Sequence, residues 1–176
     1  MEKLYWQNLT TALGGITVGC SDRGVREISL ATGSQAGKGR KKPRVTSDEW
    51  VEANGQKVQG ARWVRQTVRE LEEYLAGQRR KFTVPLDLRG TAFQKKVWEA
   101  LITIPCGATR SYSEIARQAG NPRAARAVGM ANHDNPIAII VPCHRVIASD
   151  GSLGGYGGGL EMKASLLRLE QAHRTS

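Results

Sequence analysis

The sequence predicts an α+β fold in two parts. Residues 1–86 read as a small strand-rich domain with one helix, and residues 87–176 as a mostly helical domain containing a helix-turn-helix. Between residues 4 and 30 apolar and polar side chains alternate, the period of a half-buried strand. From Val64 to Leu75 and from Phe93 to Leu101 apolar residues recur at helical spacing instead. Around Gly120-Asn121-Pro122 two short helical patterns meet with only turn chemistry between them.

In chain order, Ile16, Val18 and Cys20 alternate with Thr17 and Gly19, and Ser21-Asp22-Arg23-Gly24 supplies a turn before Val25, Ile28 and Leu30. Cys20 reads as a small hydrophobe, because a zinc ligand there has no nearby Cys or His companion. Residues 32–60 lose periodicity and include Lys38-Gly39-Arg40-Lys41-Lys42-Pro43-Arg44, the pattern of a long, mobile basic surface loop. Val64, Val68, Leu71 and Leu75 then make a helix that Gly77 stops. Phe82, Val84, Leu86 and Leu88 alternate as a strand.

In the second part, Thr91-Ala92-Phe93-Gln94 is a capping box opening a helix with Phe93, Val97, Trp98 and Leu101 on one stripe, and Ile104-Pro105-Cys106-Gly107 closes it. Cys106 has no neighbouring base and reads as structural. Ser111-Tyr112-Ser113-Glu114 is a second capping box, for a helix ending at Ala119. Asn121 is the expected N-cap, and Pro122 the first position, of a helix running to about Asn132. On that helix Ala124, Val128 and Ala131 face inward. Arg123, Arg126 and Met130 face outward, with His133 beyond, while Ala125, Ala127 and Gly129 keep the helix slim. A slim helix with arginines outward can approach a duplex closely; an ordinary corner with solvated arginines fits the helix alone equally well. His133 by itself reads as a surface histidine. The last helix places Met162, Leu166 and Leu169 on one face, with Glu170 at its border.

The chain of 176 residues suffices for one ordinary domain or two small ones. No apolar run is long enough to span a membrane, and the N-terminus lacks a secretory signal pattern. Three widely spaced cysteines do not form a disulfide framework, so a reducing, cytoplasmic setting is expected. Lys plus Arg exceed Asp plus Glu by 26 to 16, a net charge of +10 that suits a polyanionic partner.

The chemistry concentrates in Ile139-Ile140-Val141-Pro142-Cys143-His144-Arg145-Val146-Ile147. Its apolar flanks read as buried, strand-like segments, so a thiol, an imidazole and a guanidinium lie together where a solvated loop would not put them. The economical reason is chemistry on the thiol. Downstream, Leu153-Gly154-Gly155-Tyr156-Gly157-Gly158-Gly159 fits either a flexible linker or a pocket wall that exposes backbone groups. Glu170 fits either a solvated carboxylate or a partner that holds an imidazole in one tautomer.

Taken in this order and spacing, several stretches resemble the O6-alkylguanine-DNA alkyltransferase family. They are Arg123-Ala124-Ala125-Arg126-Ala127-Val128-Gly129, Asn135-Pro136, Pro142-Cys143-His144-Arg145-Val146-Ile147, Gly155-Tyr156-Gly157-Gly158-Gly159, Leu166-Leu167 and Glu170. The resemblance is close over about the last 85 residues and looser before them. It implies DNA repair by direct reversal: a single-turnover methyltransferase that flips an O6-alkylguanine out of double-stranded DNA and takes the alkyl group onto Cys143, with O4-alkylthymine as a further candidate substrate. By position, His144 would act as base through a bridging water, held by Glu170. Tyr112 would crowd the 3′ phosphate and donate to N3 of the base. The carbonyls of Cys143 and Val146 would accept from N2, the Gly157 N–H would donate to O6, and Tyr156 and Gly158 would share that wall. Arg126 would fill the vacated stack, with Arg123, Ala125, Ala127, Gly129 and His133 around it on the DNA side. Asn135 would brace the turn before the cysteine, and Arg145 the fold around the substrate site. The resemblance implies no cofactor, no metal and a monomer, with cooperative assembly along DNA left open.

Two departures matter. Ala138 stands where some members carry a second proline, which predicts room for bulkier adducts. An Ala138→Pro variant should therefore lose debenzylation rate relative to demethylation, and an unchanged ratio would contradict this. Cys20 matches one zinc-ligand position of metal-binding members, but the companion ligands are missing. The length also predicts no additional phosphotriester-repair and regulatory domain. A cysteine hydrolase would use the same thiol, imidazole and carboxylate but leaves the helix-turn-helix unexplained. A non-catalytic DNA-binding module leaves Cys143 unexplained, and the arginine-bearing helix lacks the polar side chains of a major-groove reader.

Overall fold

The alternation of the first thirty residues becomes an antiparallel sheet. In the computed structural model, which describes residues 3–31 and 59–172, the chain forms two units, Met1–Leu88 and Arg89–Ser176. In the first, β1 (Tyr5–Thr11), β2 (Gly14–Ser21) and β3 (Gly24–Ala31) pair in the order β1-β2-β3. Ser21 pairs with Gly24 across the expected turn. Gly24 has φ +151°, and a Cβ there would lie 2.2 Å from the Pro85 carbonyl oxygen, so no other residue fits without displacing that backbone.

The helix α1 (Gln59–Leu75) packs on this sheet through Ala61, Val64, Val68, Leu71 and Tyr74, all buried, against Ile16, Val18 and Cys20. Each aliphatic side chain so buried stabilises the unit by roughly 1.5–3 kcal/mol. The helix begins at Gln59, inside the range read as loop, because the Asp22 carboxylate accepts from the Gly60 N–H at 2.9 Å. The remainder of that expected loop, with its basic run at 38–44, lies outside the described residues.

The alternation at residues 82–88 does not make a strand. Pro85 has no N–H to give a ladder, and the segment contributes only an isolated parallel bridge between Val25 and Leu86. Asp87 turns inward instead, accepting from Ser21 and from Arg26, each at 2.8 Å. Glu70, also buried, accepts from the Thr83 N–H at 2.8 Å and from its hydroxyl. These side-chain hydrogen bonds, with the two backbone bonds of that bridge (Val25 N–H to the Pro85 carbonyl and Asp87 N–H to the Val25 carbonyl, each at 2.8 Å), hold the stretch in place of an extended ladder.

In the second unit both capping boxes form, at Thr91 with Gln94 and at Ser111 with Glu114. They open α2 (Ala92–Ile102) and α3 (Tyr112–Gln118). Gly120, at φ +86°, ends the α3 turn. The next helix starts later than the sequence suggests. Asn121 accepts from the Arg123 N–H at 3.3 Å and the Ala124 N–H returns to the Asn121 carbonyl at 3.0 Å, a local turn that keeps Pro122 and Arg123 outside the helix. So α4 is Ala125–His133, with Ala124 as its uncapped N-terminus. Val128 and Ala131 are buried beneath it, Ala124 only half so. Trp98 of α2 donates its indole N–H to the Ala131 carbonyl at 2.8 Å, anchoring the end of α4.

The apolar run before Cys143 is buried as expected, but it is a chain of turns and not a strand. Asn135 accounts for this. Its Oδ1 accepts from the Ile137 N–H at 3.0 Å and its Nδ2 donates to the Val141 carbonyl at 2.8 Å, capturing groups that a strand partner would otherwise take. Ile139 is left at φ +71°, a conformation that costs a β-branched residue about 1–3 kcal/mol. A 3-10 turn, Cys143–Arg145, follows, then β5 (Val146–Ile147), parallel to β4 (Arg110–Ser111), and finally α5 (Leu160–Ala172).

Candidate active site

The 3-10 turn is the reason three consecutive polar residues can all be buried. Cys143 is 7 % exposed, His144 0 % and Arg145 6 %, each projecting in a different direction from one tight turn. Cys143 faces a cavity of ≈ 420 Å³, within the roughly 300–1,000 Å³ usual for small-ligand sites. Tyr112 from α3 and Gly129, Asn132 and His133 from α4 form one side of it. Gly155, Tyr156 and Gly157 form another. The glycine stretch is thus a pocket wall. A Cβ at Gly155 or Gly157 would meet nothing within 4 Å, so bare backbone there keeps the space open, whereas Gly154 (φ +66°) lets the Tyr112 hydroxyl approach to 2.8 Å of where a Cβ would be.

The thiol is placed by Asn135, whose Nδ2 donates to Sγ at 3.2 Å as well as to the Val141 carbonyl. Burial pushes the Cys143 thiol up; the Asn135 hydrogen bond, the Lys163 charge and the backbone N–H groups of Cys143 and His144 oppose this only in part. At rest the group is a thiol, and it needs a base.

The next residue on the same turn, His144, carries an imidazole. Its Nε2 lies 2.8 Å from Glu170 Oε1, both residues fully buried. With Nε2–H donated to the carboxylate, Nδ1 carries the lone pair. Burial lowers the His144 imidazole most, Glu170 raises it, and the charges of Arg145 and Lys163 lower it again. Burial works against Glu170 as an anion, yet hydrogen bonds from His144 and Arg145 and their charges prevail and hold the carboxyl well below the usual range. Of the two alternatives open for Glu170, the buried partner is the observed one.

Arg145 does not face the cavity. It donates Nε to both Glu170 oxygens, at 3.1 and 3.0 Å, and Nη2 to Oε1 at 2.8 Å. Val146 presents its carbonyl to Lys163 Nζ at 2.6 Å, and Gly158 is buried behind the wall. On α4 Arg126 and Ala127 are exposed, Ala125 is half-exposed and Met130 is 62 % exposed; Arg123, just before the helix, is exposed too. Ala138 is half-buried in the Asn135-held turn and does not line the cavity.

Lys163 and Asn132 escaped the sequence reading. Lys163 is fully buried, and its ammonium donates to the carbonyls of Val146, Leu153 and Gly155, joining the nucleophile turn to the glycine wall. Burial pulls it down to about 8, opposed by Cys143, so at neutral pH it is still a cation. The signal was a lysine inside an inward stripe with Met162, Leu166 and Glu170. Asn132 shares a face with Gly129 and His133, at i+3 and adjacent spacing, and its Oδ1 is buried with no partner. No group of three or more candidate metal ligands occurs among the described residues.

Comparison with known proteins covers both units. The family model for the 6-O-methylguanine DNA methyltransferase ribonuclease-like domain matches residues 4–88, and that for its DNA binding domain matches residues 92–172. A methylated-DNA–protein-cysteine methyltransferase of Methanosarcina acetivorans is 45% identical over 167 residues, 95% of this chain and 98% of that one. The chain belongs to the 6-O-methylguanine DNA methyltransferase family. Another methyltransferase of the family, from Mycobacterium bovis, is 63% identical over 105 residues, 60% of this chain and 64% of its own. Among solved structures, Mycobacterium tuberculosis OGT in complex with DNA superposes with a TM-score of 0.76 at 42% identity, covering 96% of this chain and 93% of that one. The α+β methyltransferase fold expected from the sequence is therefore the observed one.

Proposed function

We propose that this protein repairs duplex DNA by moving the alkyl group of a flipped-out O6-alkylguanine onto Cys143, once per molecule. The observation that carries the reading is a buried thiol on the wall of a cavity whose other side belongs to α4, the helix with Arg126 exposed on it and Arg123 exposed just before it. Such a cavity suits a base taken out of the stack, because O6 cannot be reached in line while stacked.

The step follows from the groups present. His144, directly or through a water, takes the proton from Cys143. The sulfur attacks the alkyl carbon, the S–C bond forms as the C–O6 bond breaks, and the electron pair leaves with the base. Tyr112, whose hydroxyl is kept protonated by burial and by Cys143 nearby, donates toward the base and stabilises that charge. The Gly157 N–H on the glycine wall does the same at O6. Glu170 supports the imidazolium meanwhile. The thioether formed is not hydrolysed as a thioester is, so the thiol is consumed.

None of the three cysteines is in a disulfide, which supports a reducing, cytoplasmic setting, and no helix among the described residues is long and apolar enough to cross a membrane. The stoichiometry tests the reading. With excess duplex carrying a radiolabelled O6-methylguanine, label on protein should plateau at about one methyl per chain. Continued release of label as a small molecule would show turnover and favour a hydrolase.

Arg126 is the residue we assign to the vacated stack. Arg126→Ala should slow transfer from duplex DNA about ten- to a hundredfold, the effect of losing roughly 1.4–2.8 kcal/mol of compensation for unstacking. Reaction with free O6-benzylguanine, which needs no flipping, should be unchanged. Equal loss on both substrates would contradict the assignment.

A further inference from the structure

We propose that Arg145 is a positioning residue for the proton transfer: it fixes Glu170 as a permanent anion that orients His144, and so reserves His144 as a neutral base. This rests on the reading of Cys143 as an alkyl acceptor and concerns how its proton is removed.

The geometry is specific. Glu170 is reached by three residues from two segments, by His144 Nε2 at 2.8 Å and the Nε and Nη2 edge of Arg145 from the 3-10 turn, and by the Gly107 N–H at 3.0 Å on Oε2. Arg145 Nη1 donates in turn to the Ile104 carbonyl at 2.5 Å, which fixes the guanidinium plane. An edge-on guanidinium engages both oxygens at once, which an ammonium does not.

Counting charges gives the consequence. A buried carboxylate facing an imidazole alone draws a proton onto the ring, and an imidazolium cannot accept another from a thiol. With a guanidinium on the same carboxylate the pair is already neutral, so the ring can stay uncharged. When the Cys143 proton reaches Nδ1, Glu170 then stabilises the imidazolium through Nε2–H. The proton goes no further, because protonating Glu170 would leave Arg145 buried and unpaired. The titratable groups facing His144 are Glu170 and Lys163 from α5, Cys143 and Arg145 on its own turn, and Tyr156 from the glycine wall, its ring edge-on at 6.5 Å. Of the two cations, Lys163 is committed to three carbonyls. Arg145 is the one placed on the carboxylate itself.

The test uses the full chain with Arg145→Met, Arg145→Lys, Glu170→Gln and the Arg145→Met/Glu170→Gln pair. Nitrogen-15 NMR of the histidine rings, without DNA, reads the charge of His144 independently of any transfer. In the wild type the ring should be neutral at pH ~7 with hydrogen on Nε2, and in Arg145→Met it should be charged. Single-turnover transfer by Arg145→Met should be about tenfold or more slower at neutral pH, recovering as pH rises, with Arg145→Lys restoring most of the neutral-pH rate. A neutral ring and an unshifted pH profile in Arg145→Met would overturn the proposal. If that variant does not fold, the paired comparison decides. In Glu170→Gln an unpaired guanidinium suppresses His144, so adding Arg145→Met should raise the rate, and a further loss would overturn it. Absence of transfer in the wild type would sink the repair reading alone, since the ring charges are measured without it.

Discussion

Replacing Cys143 with alanine is expected to abolish alkyl transfer and leave duplex binding in place. No other thiol can substitute. Cys20 is buried in the N-terminal unit beside Thr67 and pushed up to about 12, chiefly by burial, and Cys106 does not line the cavity. The substitution removes one atom, and Asn135 keeps its bonds to Ile137 and Val141, so the turn that carries residue 143 should persist. The cost to stability should be about 1 kcal/mol. In the proposed reading, binding to an O6-methylguanine duplex rests on phosphate contacts and α4, which the change does not touch, so Kd should stay within about threefold at matched salt. Transfer and binding measured side by side check this; loss of both would mean that Cys143 is a structural residue.

Glu170→Ala should be the most damaging single change to stability. It strands Arg145 and His144 in a buried site and frees the Gly107 N–H, and breaking a buried ion pair by removing one partner costs about 3–5 kcal/mol. Transfer should fall about 10²–10⁴-fold, the usual worth of a positioned base that has lost its orienting partner. The same carboxylate sets an acid limb. Its folded pKa lies below the unfolded value of about 4.3, so the unfolded chain binds more protons as pH drops. The stability from Glu170 is complete above pH ~4.3 and is lost as pH falls through the folded value. Urea midpoints should therefore decline below pH ~4 more steeply in the wild type than in Glu170→Gln. Parallel declines would remove Glu170 as the cause.

What was legible in the sequence was local. The two capping boxes need only a hydroxyl and, three residues on, an amide or carboxylate, and both formed where the spacing put them. The turn between β2 and β3 was written in Ser21-Asp22-Arg23-Gly24. The misreadings share one cause, a side chain taking over backbone hydrogen bonds. Asn121 delayed the start of α4, Asn135 bent an apolar run into turns, and Glu70 claimed the Thr83 N–H in a segment whose alternation suggested a strand. Lys163 was hidden for a different reason. A lysine is buried only when acceptors converge on it, and here they arrive from Val146, Leu153 and Gly155. The place of Lys163 in the inward stripe of α5 signals burial, but not which acceptors meet it. The burial of Cys143 and His144 was readable from the apolar flanks on either side of them. That Arg145 belongs to Glu170, and not to the pocket, required the geometry.

The most direct measurement is a peptide map. The protein is incubated with a duplex containing O6-methylguanine, digested and analysed by mass spectrometry, with the peptides of Cys20 and Cys106 as internal controls. A single methyl on Cys143 alone, with the guanine restored, is the predicted result. An unmodified Cys143 beside repaired DNA, or a methyl on either other cysteine, would contradict the account.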